Sequence, residues 1–349
     1  MIAKPPRQPL ALDAYGADGG PELVLEGAAI AAADGIPVRI FGPTSLDPPP
    51  AVELEPTADW IGNDAEPVAA VRSTPDASVV RAARAVAQGA CSALVSAGST
   101  GALMTAALFA LRRAHGVHRP ALAVQIPVPR TERPPLVFLD AGANTDVRPQ
   151  HLIQFAFLGS AFCRAVLGVE NPRVALLSVG EEQKKGRIDV VEAHEALTRA
   201  SRIHFIGNVE GRDLLRGEAE VVVTDGFTGN VTLKTLEGTA RAVADAVRAA
   251  ARSGPIAAAG GLLLRSALGG LRRDMDPNSV GGAILLGLRG VAVVAHGSSS
   301  PEGIANAVRL ADRAVRERAV ERTAELLEAS GATRESLRET PRRPGADRG

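Results

Sequence analysis

Short apolar runs, each closed by Gly, Asp, Asn or Ser, recur along this chain, and most lead into longer stretches with apolar positions three and four apart. That alternation predicts repeated strand, turn and helix units, and so a mostly parallel sheet covered by helices. Leu10 to Ala14, Val38 to Phe41, Ala93 to Ser96, Val174 to Val179, Ile203 to Ile206 and Val221 to Val223 read as strands. Glu22 to Ala33, Pro75 to Gln88, a stretch reaching Arg113, Pro149 to Val166, Val190 to Arg199 and a stretch ending near Arg252 read as helices. Leu122 to Val128 lies close enough to Leu136–Leu139 for a hairpin, and Ala283 to Leu286 forms a final strand pair with Val291 to Ala295. Pro43 to Pro56 reads as a loop, Glu302 to about Ala329 as one long helix, and 329–349 as a disordered tail. The rest, 8–328, reads as a single domain with a helical, partly hydrophobic excursion at about 250–276.

One junction carries the most chemistry. Val221 to Val223 feeds a helix through Thr224-Asp225-Gly226-Phe227-Thr228-Gly229-Asn230, with Lys234 a turn further on. Amides at such a turn, with Thr228 and Asn230 as neutral donors, make an anion cradle; a well-capped crossover is the plainer reading. At least five strands end in such clusters, and carboxyl ends in a parallel sheet lie along one edge, so the clusters are expected to share one cleft. The inventory there is Asp13, Asp18, Ser96, Ser99, Thr100, Asp140, Asn144, Lys185, Asn208, Glu210, Arg212, Asp225, Thr228, Asn230, Lys234, His296 and Ser298. Neutral donors with a few cations suit a phosphate or an oxyanion. Asp13 and Asp140 also read as turn formers, Lys185 as a solvated loop residue, and Arg212 as a surface ion pair. His296 reads equally as a proton donor or a structural histidine. Ser96 and Ser99 lack the GxSxG elbow of a serine nucleophile.

Composition removes other classes. At 349 residues and 46% hydrophobic, the chain can bury a large core, and 39 basic against 39 acidic residues give no global field for nucleic acid. Six scattered histidines and two distant cysteines form no metal motif, so no metal or cofactor is expected. No secretory pattern or spanning run appears, which reads as a cytoplasmic protein. Between Pro255 and Arg273, Leu264, Leu268 and Leu271 form a stripe with Arg265, Arg272 and Arg273 off it, the pattern of a basic amphipathic helix for an anionic membrane surface or a dimer.

From about Leu10 to Leu310 the motifs resemble those of the PlsX-type phosphate acyltransferases. They include Leu12-Asp13-Ala14 with Gly16 and Asp18, Ser96-Ala97-Gly98 with Thr100-Gly101-Ala102, and Asp140 with Gly142-Ala143-Asn144. Further on come Gly180-Glu181-Glu182 with Lys185-Gly186, Gly207 to Asp213, Asp225 to Asn230 with Leu233-Lys234-Thr235, Gly281-Gly282-Ala283, and Ala295 to Ser299. Gly19, Ser99 and Ile284 depart from the family's usual residues. The resemblance implies a three-layer α/β/α, Rossmann-like fold of the phosphotransacetylase and isocitrate-dehydrogenase kind. It also implies a homodimer, peripheral membrane association through Pro255–Arg273, and attack of inorganic phosphate on the thioester of an acyl-acyl-carrier protein, with acyl phosphate feeding phospholipid synthesis. With it, Gly16, Gly98, Gly226, Phe227, Gly229 and Gly297 join the inventory. Lys185 and Asn230 are expected to hold phosphate or the oxyanion, and His296 to assist at the thioester oxygen or leaving sulfur. A short-chain enzyme using acyl-coenzyme A and a non-catalytic carrier-protein scaffold stand as alternatives.

Overall fold

The computed structural model describes residues 7–129, 133–257, 260 and 280–338. From the amino terminus come β1 (Leu10–Asp13), α1 (Gly20–Ala33), β2 (Val38–Gly42), β3 (Val52–Pro56), α2 (Pro67–Ser73), α3 (Ser78–Ala87), β4 (Ala93–Ser96) and α4 (Thr100–Leu111). The strands β5 (Ala121–Ile126) and β6 (Leu136–Leu139) pair antiparallel, as the hairpin spacing predicts. Then follow α5 (Pro149–Val166), β7 (Arg173–Leu177), α6 (Ile188–Arg199), β8 (His204–Val209), β9 (Val221–Val223) and α7 (Gly226–Ala251). Beyond residue 280 lie β10 (Ala283–Leu286), β11 (Val291–Val294), α8 (Pro301–Arg316), α9 (Ala319–Ala329) and α10 (Arg334–Arg338).

The eleven strands among the described residues join one sheet in the order β3-β2-β1-β4-β11-β10-β5-β6-β9-β7-β8. Helices cover both faces. Apolar side chains of α1, α5, α6, α8 and α9 pack in the core on one face, and those of α3 and α4 on the other. Helix α5 is buried along nearly its whole length, with Phe155, Phe157 and Phe162 inside, so it reads as uniformly apolar rather than striped.

Strand direction changes the expected site. The strands β3, β2, β1, β4 and β11 are parallel to one another, and so are β6, β9, β7 and β8. Between the blocks, β11 with β10, β10 with β5, and β5 with β6 are all antiparallel. Three reversals leave the blocks running in opposite senses, so their carboxyl ends face opposite edges of the sheet. The single edge expected from strand-end clusters is therefore two edges. Helix α4 joins them: it starts beside the end of β4 and runs back across the sheet for about 18 Å at 1.5 Å per residue.

Three local expectations need correction. The Pro-rich loop contains β3, an edge strand that tolerates Pro56 because only one side of it is paired. The long helix after Pro301 breaks at Arg318, whose φ of 53° ends α8 and starts α9 with no glycine or proline to mark the break. The expected tail is ordered at its start: Gln154 donates to the Ala332 carbonyl at 2.8 Å, Arg334 N–H donates to the Gly116 carbonyl at 2.6 Å, and Leu337 packs on the core. Most of the Pro255–Arg273 stretch, including its leucine stripe, lies outside the described residues. Among the described residues no helix is long and apolar enough to cross a membrane.

Candidate active site

At the edge where β1, β4 and β11 end, the Asp13 carboxylate is buried. It accepts from Ser78 Oγ at 2.6 Å, Ser96 Oγ at 2.7 Å and the Tyr15 N–H at 3.2 Å. Desolvation raises its pKa in spite of these bonds. Asp13 thus organises two strand ends rather than facing solvent. A Cβ on Gly16 would stand 2.4 Å from Gly98 Cα, so these two glycines let neighbouring turns touch. Ser99 caps α4 by accepting from Ala102 N–H at 3.3 Å. The Thr100 and Gly101 N–H groups have no protein acceptor among the described residues. His296 Nδ1 accepts from Ser298 N–H at 3.2 Å and lies 2.8 Å from Ser298 Oγ, so the neutral ring carries its proton on Nε2. Asp18 N–H donates to the Gly297 carbonyl at 2.8 Å. Beside Gly16, Tyr15 stacks on Trp60 with ring centroids 6.0 Å apart, and Trp60 is 52% exposed.

The edge where β6, β9, β7 and β8 end carries the rest. The Asp140 carboxylate is fully buried and accepts from Leu122 N–H at 3.1 Å, Gly142 N–H at 3.2 Å, Ala143 N–H at 2.9 Å, Asn144 N–H at 2.7 Å and Asn144 Nδ2 at 2.7 Å. Desolvation raises its pKa; these donors oppose the rise. The first turn of α7 sits on that loop. A Cβ on Gly229 would stand 1.8 Å from the Asp140 carbonyl oxygen and one on Gly226 2.7 Å from that of Asn144, so both positions need glycine. Asn230 is exposed and donates to the Ala141 carbonyl at 3.2 Å, leaving a second amide hydrogen. Phe227 is also exposed.

The expected anion cradle at this turn is largely filled by the protein. Asp225 Oδ1 accepts from Thr228 N–H at 2.9 Å, and Oδ2 accepts from Thr228 Oγ1 at 2.7 Å. Gly226 N–H donates to the Asn144 carbonyl at 2.7 Å. A carboxylate occupies the position where a phosphate would sit, and both Thr228 donors are spent on it. Arg187 Nη1 approaches Asp225 at 3.3 Å, a functional candidate that the sequence inventory omits although it follows Lys185-Gly186. Lys185 lies on an exposed loop, its ammonium unpaired among the described residues. Lys234 is ion-paired to Glu237 at 2.9 Å, away from the turn. Asn208, re-aimed by a bulge at β8, bonds His194 at 2.9 Å and the Glu182 carbonyl at 3.0 Å, so it anchors the Lys185 loop. Arg212 pairs with Glu210 at 3.1 Å beyond the edge strand β8, about 10 Å in strand spacings from β9. That pair is the plain surface reading.

No described hydrogen bond or ion pair joins the two edges. His296, after β11, and Asn230 and Lys185, after β9 and β7, lie at opposite edges of the sheet. Also at the second edge, a cavity of about 570 Å³ is lined by Leu108, Arg112, Arg113, His118, Arg119, Pro120 and Asn144. Nearby, burial and then the charges of Arg119, His118 and Arg148 lower the His151 pKa to about 4. Among the described residues no group of His, Cys, Asp and Glu could hold a metal ion.

This architecture is that of the phosphotransacetylases: the Streptococcus pyogenes enzyme superposes with a TM-score of 0.57 at 17% identity, over 90% of this chain and 94% of that one. The sequence narrows the class. The profile of the fatty acid synthesis protein family matches residues 9–322. A phosphate acyltransferase of Anaeromyxobacter sp. (strain Fw109-5) is 39% identical over 96% of this chain and 95% of its own. One from Lactococcus lactis subsp. cremoris (strain SK11) is 43% identical over 86% and 92%. The chain belongs to this family of PlsX-type phosphate acyltransferases.

Proposed function

We propose that this enzyme transfers the acyl group of an acyl-acyl-carrier protein to inorganic phosphate, releasing the carrier thiol and forming acyl phosphate for phospholipid synthesis. Family membership over residues 9–322 carries the reaction class. Charge favours one edge for the phosphate. Both edges carry carboxyl groups, Asp13 and Asp18 at the β1, β4 and β11 edge and Asp140 and Asp225 at the other, but the second edge adds Lys185 and three cavity arginines that have no carboxylate partner among the described residues. A dianion belongs with the cations. Asn230 and Lys185 then hold phosphate and the tetrahedral oxyanion, with phosphate itself as nucleophile and no acylated side chain required. The aromatic pair Tyr15–Trp60 and the exposed Leu108 and Phe109 of α4 suit the apolar part of the donor. The enzyme acts as a homodimer through α7 and docks on anionic membranes through Pro255–Arg273.

Phosphate-dependent thiol release from acyl-acyl-carrier protein, with detection of acyl phosphate, tests this reading. Asn230→Ala and Lys185→Ala are expected to lower kcat/KM by about 100-fold with the fold intact. Wild-type turnover in either would sink their assignment. A loss of that size in His296→Asn instead would move the reacting carbonyl to the opposite edge.

A further inference from the structure

The cavity at the carboxyl end of α4 contains an unusual charge set. Arg112 and Arg113 follow the last turn of α4, Arg119 comes from the segment before β5, and none of the three is ion-paired to a carboxylate among the described residues. Arg113 Nη1 donates to the His118 carbonyl at 2.5 Å and Arg119 Nη1 to the Asp146 carbonyl at 3.2 Å, so backbone oxygens fix two guanidiniums without neutralising them. Arg112 holds a φ of 62°, outside the ordinary range for a side-chain-bearing residue. Arginines at a helix carboxyl end are favoured by the helix dipole, which accounts for Arg112 and Arg113. It does not account for Arg119, which reaches the same cavity from another element. The lining also includes Asn144, whose backbone oxygen accepts from Gly226 and whose amide donates to Asp140, so the cavity adjoins the loop on which the first turn of α7, with Asn230, sits.

We propose that Arg112, Arg113 and Arg119 form a subsite for a phosphate group. It deepens, and rests on, the acyl-transfer reading. Guanidiniums without carboxylate partners offer paired N–H donors matched to phosphate oxygens. Two phosphate groups enter that reaction: the inorganic nucleophile and the phosphodiester of the donor's 4′-phosphopantetheine arm. For the second, Leu108 continues the cavity onto the outward face of α4, where Met104, Thr105 and Phe109 are at least partly exposed towards the other edge.

The test uses the full chain carrying Arg112→Gln and Arg119→Gln together, with thermal unfolding as a folding control. KM is measured for inorganic phosphate, and separately for acyl-phosphopantetheine and acyl-pantetheine, which differ only in the arm's phosphate. We expect either KM for inorganic phosphate to rise about tenfold, or the preference for the phosphorylated arm to fall about tenfold. The first result identifies the nucleophile, the second the arm. A defect seen only with acyl-acyl-carrier protein overturns the subsite and assigns the arginines to the carrier protein's surface; no change with any substrate overturns it too. If the wild type releases no thiol from any donor, the acyl-transfer reading fails by itself. Calorimetric titration of phosphate and of phosphopantetheine then still decides the subsite: binding weakened about tenfold in the variant supports it, and equal or undetectable binding to both proteins overturns it.

Discussion

A buried carboxylate without a cation must be satisfied by N–H groups, and Asp140 collects its donors from Leu122 and the 142–144 loop. In sequence it reads both as a ligand, because it ends a strand in a Gly-rich cluster, and as a turn former; its burial and its backbone donors match the turn former. Asp13 follows the same logic, and its partner Ser78 gave no signal at all, since it comes from a helix 65 residues away. His151 makes a prediction at this scale. Arg148 N–H donates to its Nδ1 at 3.1 Å, and burial with nearby positive charge keeps the ring neutral down to about pH 4. The unfolded ring protonates near pH 6.5. Between those values the unfolded chain binds the extra proton, so stability falls as pH drops through that window and the effect levels off below it. The loss should approach ~3 kcal/mol. Denaturant titrations at pH 7, 5.5 and 4.5 should show it, and His151→Gln should remove most of this slope.

Elements were more legible than their ends. Strands β1, β4, β7 and β9 and helix α1 follow the apolar spacing closely, because burial on a sheet imposes that spacing, and α5 is legible as one long apolar run. The edge strand β3 was hidden by its prolines, and the α8–α9 break by an arginine in a left-handed conformation. Helix α7 raises a different matter. Leu233 and Leu236 pack on the core, but residues 241–250 are all exposed, with Val243 and Val247 four apart on one face. An alanine- and valine-rich helix segment that is exposed throughout among the described residues offers a face for a partner, the contact we propose for a homodimer. Val243→Asp with Val247→Asp should convert the proposed dimer to a monomer in sedimentation velocity; an unchanged dimer would place the interface elsewhere, and a monomeric wild type would remove the dimer itself.

At the scale of the molecule, both close-spaced strand pairs were visible in the sequence, and the order of strands was not. Insertion of β10 and β5 between the parallel blocks comes from long-range pairing, such as Ala283 with Val124, that no local pattern encodes. That insertion turned one expected cleft into two edges. It also separated His296 from Asn230 while keeping each with its own neighbours. The cations without carboxylate partners at one edge then add what motif reading could not, a reason to propose that edge for the phosphate.

The stacking of Tyr15 on Trp60 also has an optical consequence. Trp60 is the only tryptophan in the chain and Tyr15 the only tyrosine, so intrinsic emission reports a single location. Its fluorescence should shift when an acyl donor with a long chain is added and stay constant when inorganic phosphate alone is titrated. A response to phosphate alone would reverse the assignment of the two edges. The protein thus carries its own spectroscopic label at one end of α4, and binding of the acyl donor can be followed without attaching a dye.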